Sequence, residues 1–276
     1  MKKVLILMAT YNGAKYLDEQ IQSLIEQKNV QVDILVRDDG STDNTIEVLN
    51  KWKEQNKLEW YKGKHLNVQF GFYDLMERAR TRDVDYLAFC DQDDVWLPSK
   101  IEMSMLKMKE CEGVYLNKPL CAFTDLKIVD SDLKLISSSM WKSLNISSSR
   151  CNDFYFLSCS WVVTGCTMLL NRKVKDFVFP YSGKIMHDYW ISLILSRKGY
   201  NIPLDLTTIL YRQQGNNVVG ASKNNTCRYY LSRFLFIKDV IRFYICFSCY
   251  LNDLPNIKVN HIKRFIRKIE CVILGL

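Results

Sequence analysis

Phe89-Cys90-Asp91-Gln92-Asp93-Asp94-Val95-Trp96 continues an apolar run that begins at Tyr86. Tyr86 to Cys90 reads as a short buried strand. The strand stops at three carboxylates within four residues, and Pro98 follows. Such an ending sets charge at the rim of a sheet, where α/β folds bind ligands. Carboxylates this close repel one another unless a cation lies between them, which makes a divalent metal a natural occupant. A solvated acidic turn that caps the next helix is the other reading, and this stretch alone leaves both open.

Upstream, Lys3 to Ala9 is a continuous apolar strand ending in the turn cluster Thr10-Tyr11-Asn12-Gly13. Leu17, Ile21, Leu24 and Ile25 then form a helical stripe within Tyr16 to Ile25. A second strand, Val32 to Val36, also stops at acids, Arg37-Asp38-Asp39-Gly40. Ser41-Thr42-Asp43 supplies a cap for a helix buried through Ile46, Leu49 and Trp52. Leu58 to Tyr61 reads as a third strand and Tyr73 to Ala79 as a short helix. Ser99 caps a helix with the stripe Ile101, Met105, Leu106 and Met108. Alternating strands and helices predict an α/β fold with a mostly parallel sheet and right-handed crossovers. Two strands then deliver carboxylates to one edge. No G-x-G-x-x-G follows the first strand and no Walker A loop is present, which disfavours dinucleotide oxidoreductases and P-loop NTPases. A phosphate-bearing ligand held through a metal fits better.

Downstream, Leu120 to Asp125 and Lys127 to Val129 read as strands around a tight turn. Ser137 to Arg150, rich in Ser and Asn, reads as a mobile loop. Trp161 to Leu170 is β-prone but broken at Gly165-Cys166, and Phe177 to Gly183 is loop. Ile185 to Arg197 reads as a helix starting near His187-Asp188, and Ile209 to Asn217 as a polar, flexible end to the compact part.

The 276 residues suffice for one large domain and an appendage, with 48% hydrophobic residues to fill a core. Val4 to Ala9 is too short for a signal core or a membrane span, and ten scattered cysteines fit a reducing cytoplasm. Cys246 and Cys249 have C-x-x-C spacing but no second pair, so buried thiols are favoured over zinc. Ten of the 38 Lys/Arg but only three of the 30 Asp/Glu lie in residues 221–276. We therefore divide the chain into a neutral body, 1–220, and a basic tail, 221–276. Arg228 to Leu251 is interrupted by charges and is no span. Ile262, Phe265, Ile266, Ile269, Val272, Ile273 and Leu276 fall on one helical face, with Lys263, Arg264, Arg267 and Lys268 on the other. That pattern predicts a helix lying on an anionic membrane, peripheral on the inner face of the plasma membrane. Docking on the body with the charges in water is the alternative. Nucleic acid is disfavoured, because no reading module accompanies the charge.

With T-Y-N, Asp38-Asp39, D-Q-D-D-V-W, Gly165-Cys166 and H-D-x-W in order, the chain from Lys3 to about Gly220 resembles the inverting family-2 glycosyltransferases of GT-A fold. Within them it is similar to the bacterial polysaccharide and rhamnosyltransferase-like group. The resemblance implies that Tyr11 stacks on the donor base and Asp39 accepts its imino N–H. Uracil and thymine offer that N–H, which implies a UDP- or dTDP-sugar donor. It implies that Asp93 binds Mg²⁺ or Mn²⁺, that Asp91 holds the donor ribose or completes the metal shell, and that Asp94 is the most dispensable of the three. Arg212 is implied to neutralise the diphosphate and Asp188 to be the catalytic base. Gly165, Cys166, His187 and Trp190 are implied to line the acceptor side, with Gly165 allowing close backbone approach. Transfer to a growing, lipid-linked surface glycan is the implied function. Asn67-Val68-Gln69 lacks a following glycine, and Gln214 stands where relatives often have His, so neither contact is implied. Two alternatives remain: a haloacid-dehalogenase-like phosphatase with Asp91 as nucleophile, and a non-catalytic sugar-nucleotide-binding module.

Overall fold

The computed structural model describes residues 2–65, 68–181, 185–213, 251, 254 and 257–274. Its first half is a parallel sheet of β1 (Lys3–Thr10), β2 (Gln31–Asp38), β3 (Glu59–Lys62) and β4 (Tyr86–Cys90), with β1 between β2 and β4. Leu5 and Leu7 enter one core, while Val4, Ile6 and Met8 enter the other. Covered on both faces, β1 has no polar alternation and reads as one apolar run. Helices α1 (Ala14–Ile25) and α2 (Thr45–Glu54) pack on one face, and α3 (Val68–Arg80) packs on the other.

Beyond the acidic turn, β5 (Val95–Trp96) leads to α4 (Lys100–Val114), then β6 (Leu120–Val129) and β7 (Leu135–Ser137). Three short helices follow, α5 (Met140–Ser143), α6 (Phe154–Leu157) and, after β8 (Met168–Asn171), α7 (Lys175–Val178). The longer α8 (His187–Lys198) leads into β9 (Tyr200–Arg212), and α9 (His261–Leu274) closes the described chain. The strand order is β3-β2-β1-β4-β8-β6-β9-β5, with β7 on β6.

The expected mostly parallel sheet is found, with β1, β2, β3, β4, β6 and β9 running one way, and it is mixed because β5, β7 and β8 run the other. β8 runs antiparallel between β4 and β6, and β5 runs antiparallel to β9. Ala88 pairs with Leu169, so the chain enters β8 at the edge where β4 ends. That entry carries the Gly165–Thr167 turn to the acidic corner.

Several local expectations change. Leu120 to Val129 is one strand with irregular register near Asp125, not two around a tight turn. The reason is Asp125 itself, which accepts from the backbone N–H groups of Met140 and Trp141 at 3.1 Å each. That clamp orders Ser137 to Arg150, expected to be a mobile loop, into α5 and a 3-10 turn with Met140 and Trp141 buried. Leu106 is exposed rather than on the buried stripe of α4. Ile209 to Arg212 belongs to β9 rather than to a flexible end, while 214–217 lie outside the described residues. So do Asn67, the Cys246/Cys249 pair and the 220/221 boundary. Leu251 and Leu254 are buried in the same core as α3 and α8.

Candidate active site

The C-terminal ends of β1, β2 and β4 meet at one edge, where the β1 turn is built on its neighbours. Asn12, at φ +49°, accepts from Thr42 N–H at 2.8 Å through its side-chain carbonyl. Its own N–H donates to Ser41 Oγ at 2.9 Å. Gln92 accepts from Tyr11 N–H at 2.9 Å and donates to the Tyr11 carbonyl at 3.1 Å. A Cβ on Gly13 would run into that carboxamide. Tyr11 is thereby presented to solvent, 44% exposed, with the His65 ring 4.5 Å from its own.

The two acids after β2 have different jobs. Asp38 is wholly buried and accepts from Gly40 N–H and Ser41 N–H, at 2.9 Å each, and from Thr10 Oγ1 at 3.0 Å. It shapes the turn. Asp39 pairs with Arg37, whose guanidinium also donates to Asp74 at 3.0 Å and to the Lys64 carbonyl at 2.9 Å. A Cβ on Gly71 would lie 3.3 Å from Arg37 and 3.9 Å from Asp39, so glycine there lets α3 close over this pair. Tyr11, His65 and Asp39 line one corner, since His65 Nδ1 lies 3.2 Å from the Asp39 carbonyl. Sequence reasoning missed His65; its place three residues past β3, at the same edge, was the signal available.

At the end of β4, ligand atoms of Asp91, Asp94 and Cys166 lie within 4.8 Å of one another. Burial, then the charges of Asp93 and Asp188, push the Asp91 carboxyl up to about 7. Burial and the neighbouring Asp91 and Asp93 likewise raise Asp94 well above the usual range. This excess of negative charge fits a divalent cation. The Cys166 thiol, raised by burial and by Asp94 and Asp91, stays protonated and hydrogen-bonds to the carboxylates. The oxygens are therefore the donors that suit a hard ion such as Mg²⁺ or Mn²⁺.

Asp94 is not the dispensable acid expected. It is wholly buried and accepts from Arg212 N–H at 3.1 Å, which ties β9 to the acidic turn. Arg212 also differs from expectation. Its side chain donates to the Asp93 carbonyl at 2.8 Å, the Ser131 carbonyl at 2.6 Å and Glu19 at 2.5 Å, and its guanidinium lies 4.3 Å from the Tyr16 ring centre. It is a buried strut rather than a cation facing the cleft.

Asp188 opens α8 and is 4% exposed. It accepts from Gly165 N–H at 3.0 Å and Tyr189 N–H at 2.7 Å. Burial pushes its carboxyl up to about 6, while those bonds and one with Trp161 pull the other way. Gly165 is the close approach expected: a Cβ there would lie 2.7 Å from His187 Nε2 and 3.5 Å from Asp188. His187 is buried, with Phe72 and Phe89 ring centres at 4.0 and 4.4 Å, and burial lowers it to about 3, a neutral imidazole. Trp190 does not reach the acceptor side. It is wholly buried, and its indole donates to the Val178 carbonyl at 2.8 Å.

The fold and the sequence both have known counterparts. Structurally the chain resembles S. aureus TarS 1-349 in complex with UDP-GlcNAc, with TM-score 0.60 and 17% identity over 98% of this chain and 71% of that one. It also resembles the mannosyltransferase PcManGT from Pyrobaculum calidifontis in complex with GDP-Man and Mn2+, with TM-score 0.59 and 12% identity over 99% and 70%. A longer TarS chain is spanned over 37% of its length. These likenesses establish the GT-A fold. In sequence it is 28% identical to the dTDP-rhamnosyl transferase RfbG of Shigella flexneri, over 80% of this chain and 76% of that protein. It is 27% identical to the UDP-Glc:alpha-D-GlcNAc-diphosphoundecaprenol beta-1,3-glucosyltransferase WfaP of Escherichia coli, over 70% and 71%. Residues 5–175 match the family model of glycosyl transferase family 2, and the chain belongs to that family of sugar-nucleotide glycosyltransferases.

Proposed function

We propose that the enzyme transfers a sugar, with inversion and with a divalent metal, from a UDP- or dTDP-sugar to a hydroxyl of a lipid-linked surface glycan. The observation that carries this reading is Asp188, a buried carboxylate held at the start of α8 by the N–H groups of Gly165 and Tyr189, raised by burial to about 6, whose charge acts on Asp91. Tyr11 offers a face for the base. Arg37 fixes Asp39 as an acceptor for an imino N–H, a group present in uracil and thymine. Asp91, with Asp93 from the same turn and Asp94 within 4.8 Å of it, would hold Mg²⁺ or Mn²⁺, which when bound neutralises charge on the leaving diphosphate. Asp188 takes the proton of the acceptor hydroxyl as that oxygen attacks the anomeric carbon opposite the nucleotide. The bond to the diphosphate breaks as the new glycosidic bond forms, so one displacement inverts the centre.

The names of RfbG and WfaP support a dTDP- or UDP-sugar and a diphosphoundecaprenol-type acceptor. Such an acceptor supports a location at the inner face of the plasma membrane. Family membership leaves the phosphatase alternative without support. The non-catalytic alternative makes a separate prediction. Asp188→Asn should cut turnover by about 10²–10⁴ and leave donor binding intact; unchanged turnover would overturn the assignment of the base. Thermal stabilisation by UDP-, dTDP- and GDP-sugars with Mn²⁺ tests the donor. Stabilisation by the GDP-sugar alone would refute the role of Asp39.

A further inference from the structure

The amphipathic helix α9 is docked on the body, but the opposite way round from the docking alternative, which put its charges in water. Its basic face turns inward onto the segment that carries α6. Arg264, 1% exposed, donates to the Ser158 carbonyl at 3.3 Å. Lys268 donates to the Cys159 carbonyl at 2.9 Å, and Arg267 pairs with Asp153 at 3.2 Å. Lys263 lies 4.9 Å from the Tyr155 ring centre. Asp153 also caps α6, accepting from Phe156 N–H at 3.0 Å, so one carboxylate organises both helices. The opposite face points outward, with Ile262 75%, Ile266 53% and Phe265 46% exposed.

We propose that this outward apolar face inserts into the surface of an anionic bilayer, and that the basic residues serve chiefly to hold the helix in that orientation. This deepens the lipid-linked acceptor reading, on which it rests for its biological sense but not for its geometry. A second copy of the chain is the competing occupant. It would bring the exposed Lys258 and Lys263 of two copies together, and their repulsion acts over a Debye length of about 8 Å. Anionic headgroups complement the same charge. Among the described residues no helix is long and apolar enough to cross a membrane.

The test is flotation of the full chain with vesicles of phosphatidylcholine and phosphatidylglycerol, comparing wild type with Ile262→Ser/Ile266→Ser. Both residues are exposed, so the variant keeps its fold; Mn²⁺-dependent thermal stabilisation by donor verifies that. The expected result is at least a tenfold loss of vesicle binding in the variant. Wild-type behaviour of the variant would overturn the proposal, as would failure of the wild type to float. A dimer in sedimentation that the same substitutions dissolve would also overturn it, in favour of self-association. Loss of binding in Arg267→Gln/Lys268→Gln, with the isoleucine variant still bound, would return the contact to the basic face. Hydrolysis or transfer of donor, measured on a soluble acceptor, separates failure of this proposal from failure of the transferase reading.

Discussion

Gln92 grips the backbone of Tyr11 from both sides, its carboxamide accepting from the N–H at 2.9 Å and donating to the carbonyl at 3.1 Å. The middle residue of the Asp91-Gln92-Asp93 motif therefore sets the turn that presents the aromatic ring to solvent. Loss of two such bonds is worth about 1–2 kcal/mol. Gln92→Ala should raise the donor KM roughly five- to thirtyfold, with a smaller change in kcat, in steady-state kinetics at saturating acceptor.

Gly165→Ala places a methyl 2.7 Å from His187 Nε2, where Phe72 and Phe89 block retreat of the ring. Overpacking of this kind costs about 1–3 kcal/mol. Denaturant titration should show that loss, and turnover should fall at least tenfold as Asp188 shifts. A variant with unchanged turnover would separate the Gly165 contact from catalysis.

Asp91 and Asp188 are raised to about 7 and about 6, above the value near 4 that they take when the chain unfolds. The folded state therefore holds these protons more tightly. Their stabilising effect is full below about pH 4 and is lost as pH rises through 6 and 7. So far as these two groups decide it, the metal-free protein should melt at a higher temperature at pH 5 than at pH 8. Mn²⁺ should stabilise more at pH 8, where it displaces fewer protons. Calorimetry with and without Mn²⁺ reads both effects. A base near pH 6 also gives kcat/KM an acidic limb that falls below that pH.

Lys100 is wholly buried, and burial lowers it to about 8. Its ammonium lies 3.9 Å from the Trp96 ring centre and has no hydrogen-bond partner among the described residues. A ring face offsets only part of the cost of a buried charge. Lys100→Met should stabilise the protein by about 1 kcal/mol or more at pH 7, a rise of roughly 2–4 °C in Tm for a chain of this size. A fall in Tm would mean that the charge is balanced from the acidic corner.

How much of this was legible in the sequence depends on where the deciding partner sits. β1, β2 and β4 were legible because burial on both faces writes a continuous apolar run. The carboxylates after β2 and β4 follow directly from where those runs stop. β9 was largely missed: Pro203, Asp205, Thr207 and Thr208 interrupt any simple pattern, and it is secured by pairing with β6. The segment after Asp125 looked loop-like because its order comes from one carboxylate outside it. For α9, periodicity defines two faces but not which meets the body. That choice is made by Asp153 and the Ser158 and Cys159 carbonyls, more than a hundred positions upstream. Arg212 and Trp190 were given ligand roles from motif position, yet both are consumed by partners that no local pattern reveals.

The bond between Arg212 N–H and Asp94 spans 118 residues of chain. At a synthesis rate of about 5–20 residues per second, Asp94 waits roughly 6–24 s for the strand that holds it. During that interval the nascent chain carries Asp91, Asp93 and Asp94 side by side without their strut. The acidic corner is thus among the last parts of the sheet to be completed, and a polypeptide released before Arg212 lacks the N–H from which Asp94 accepts.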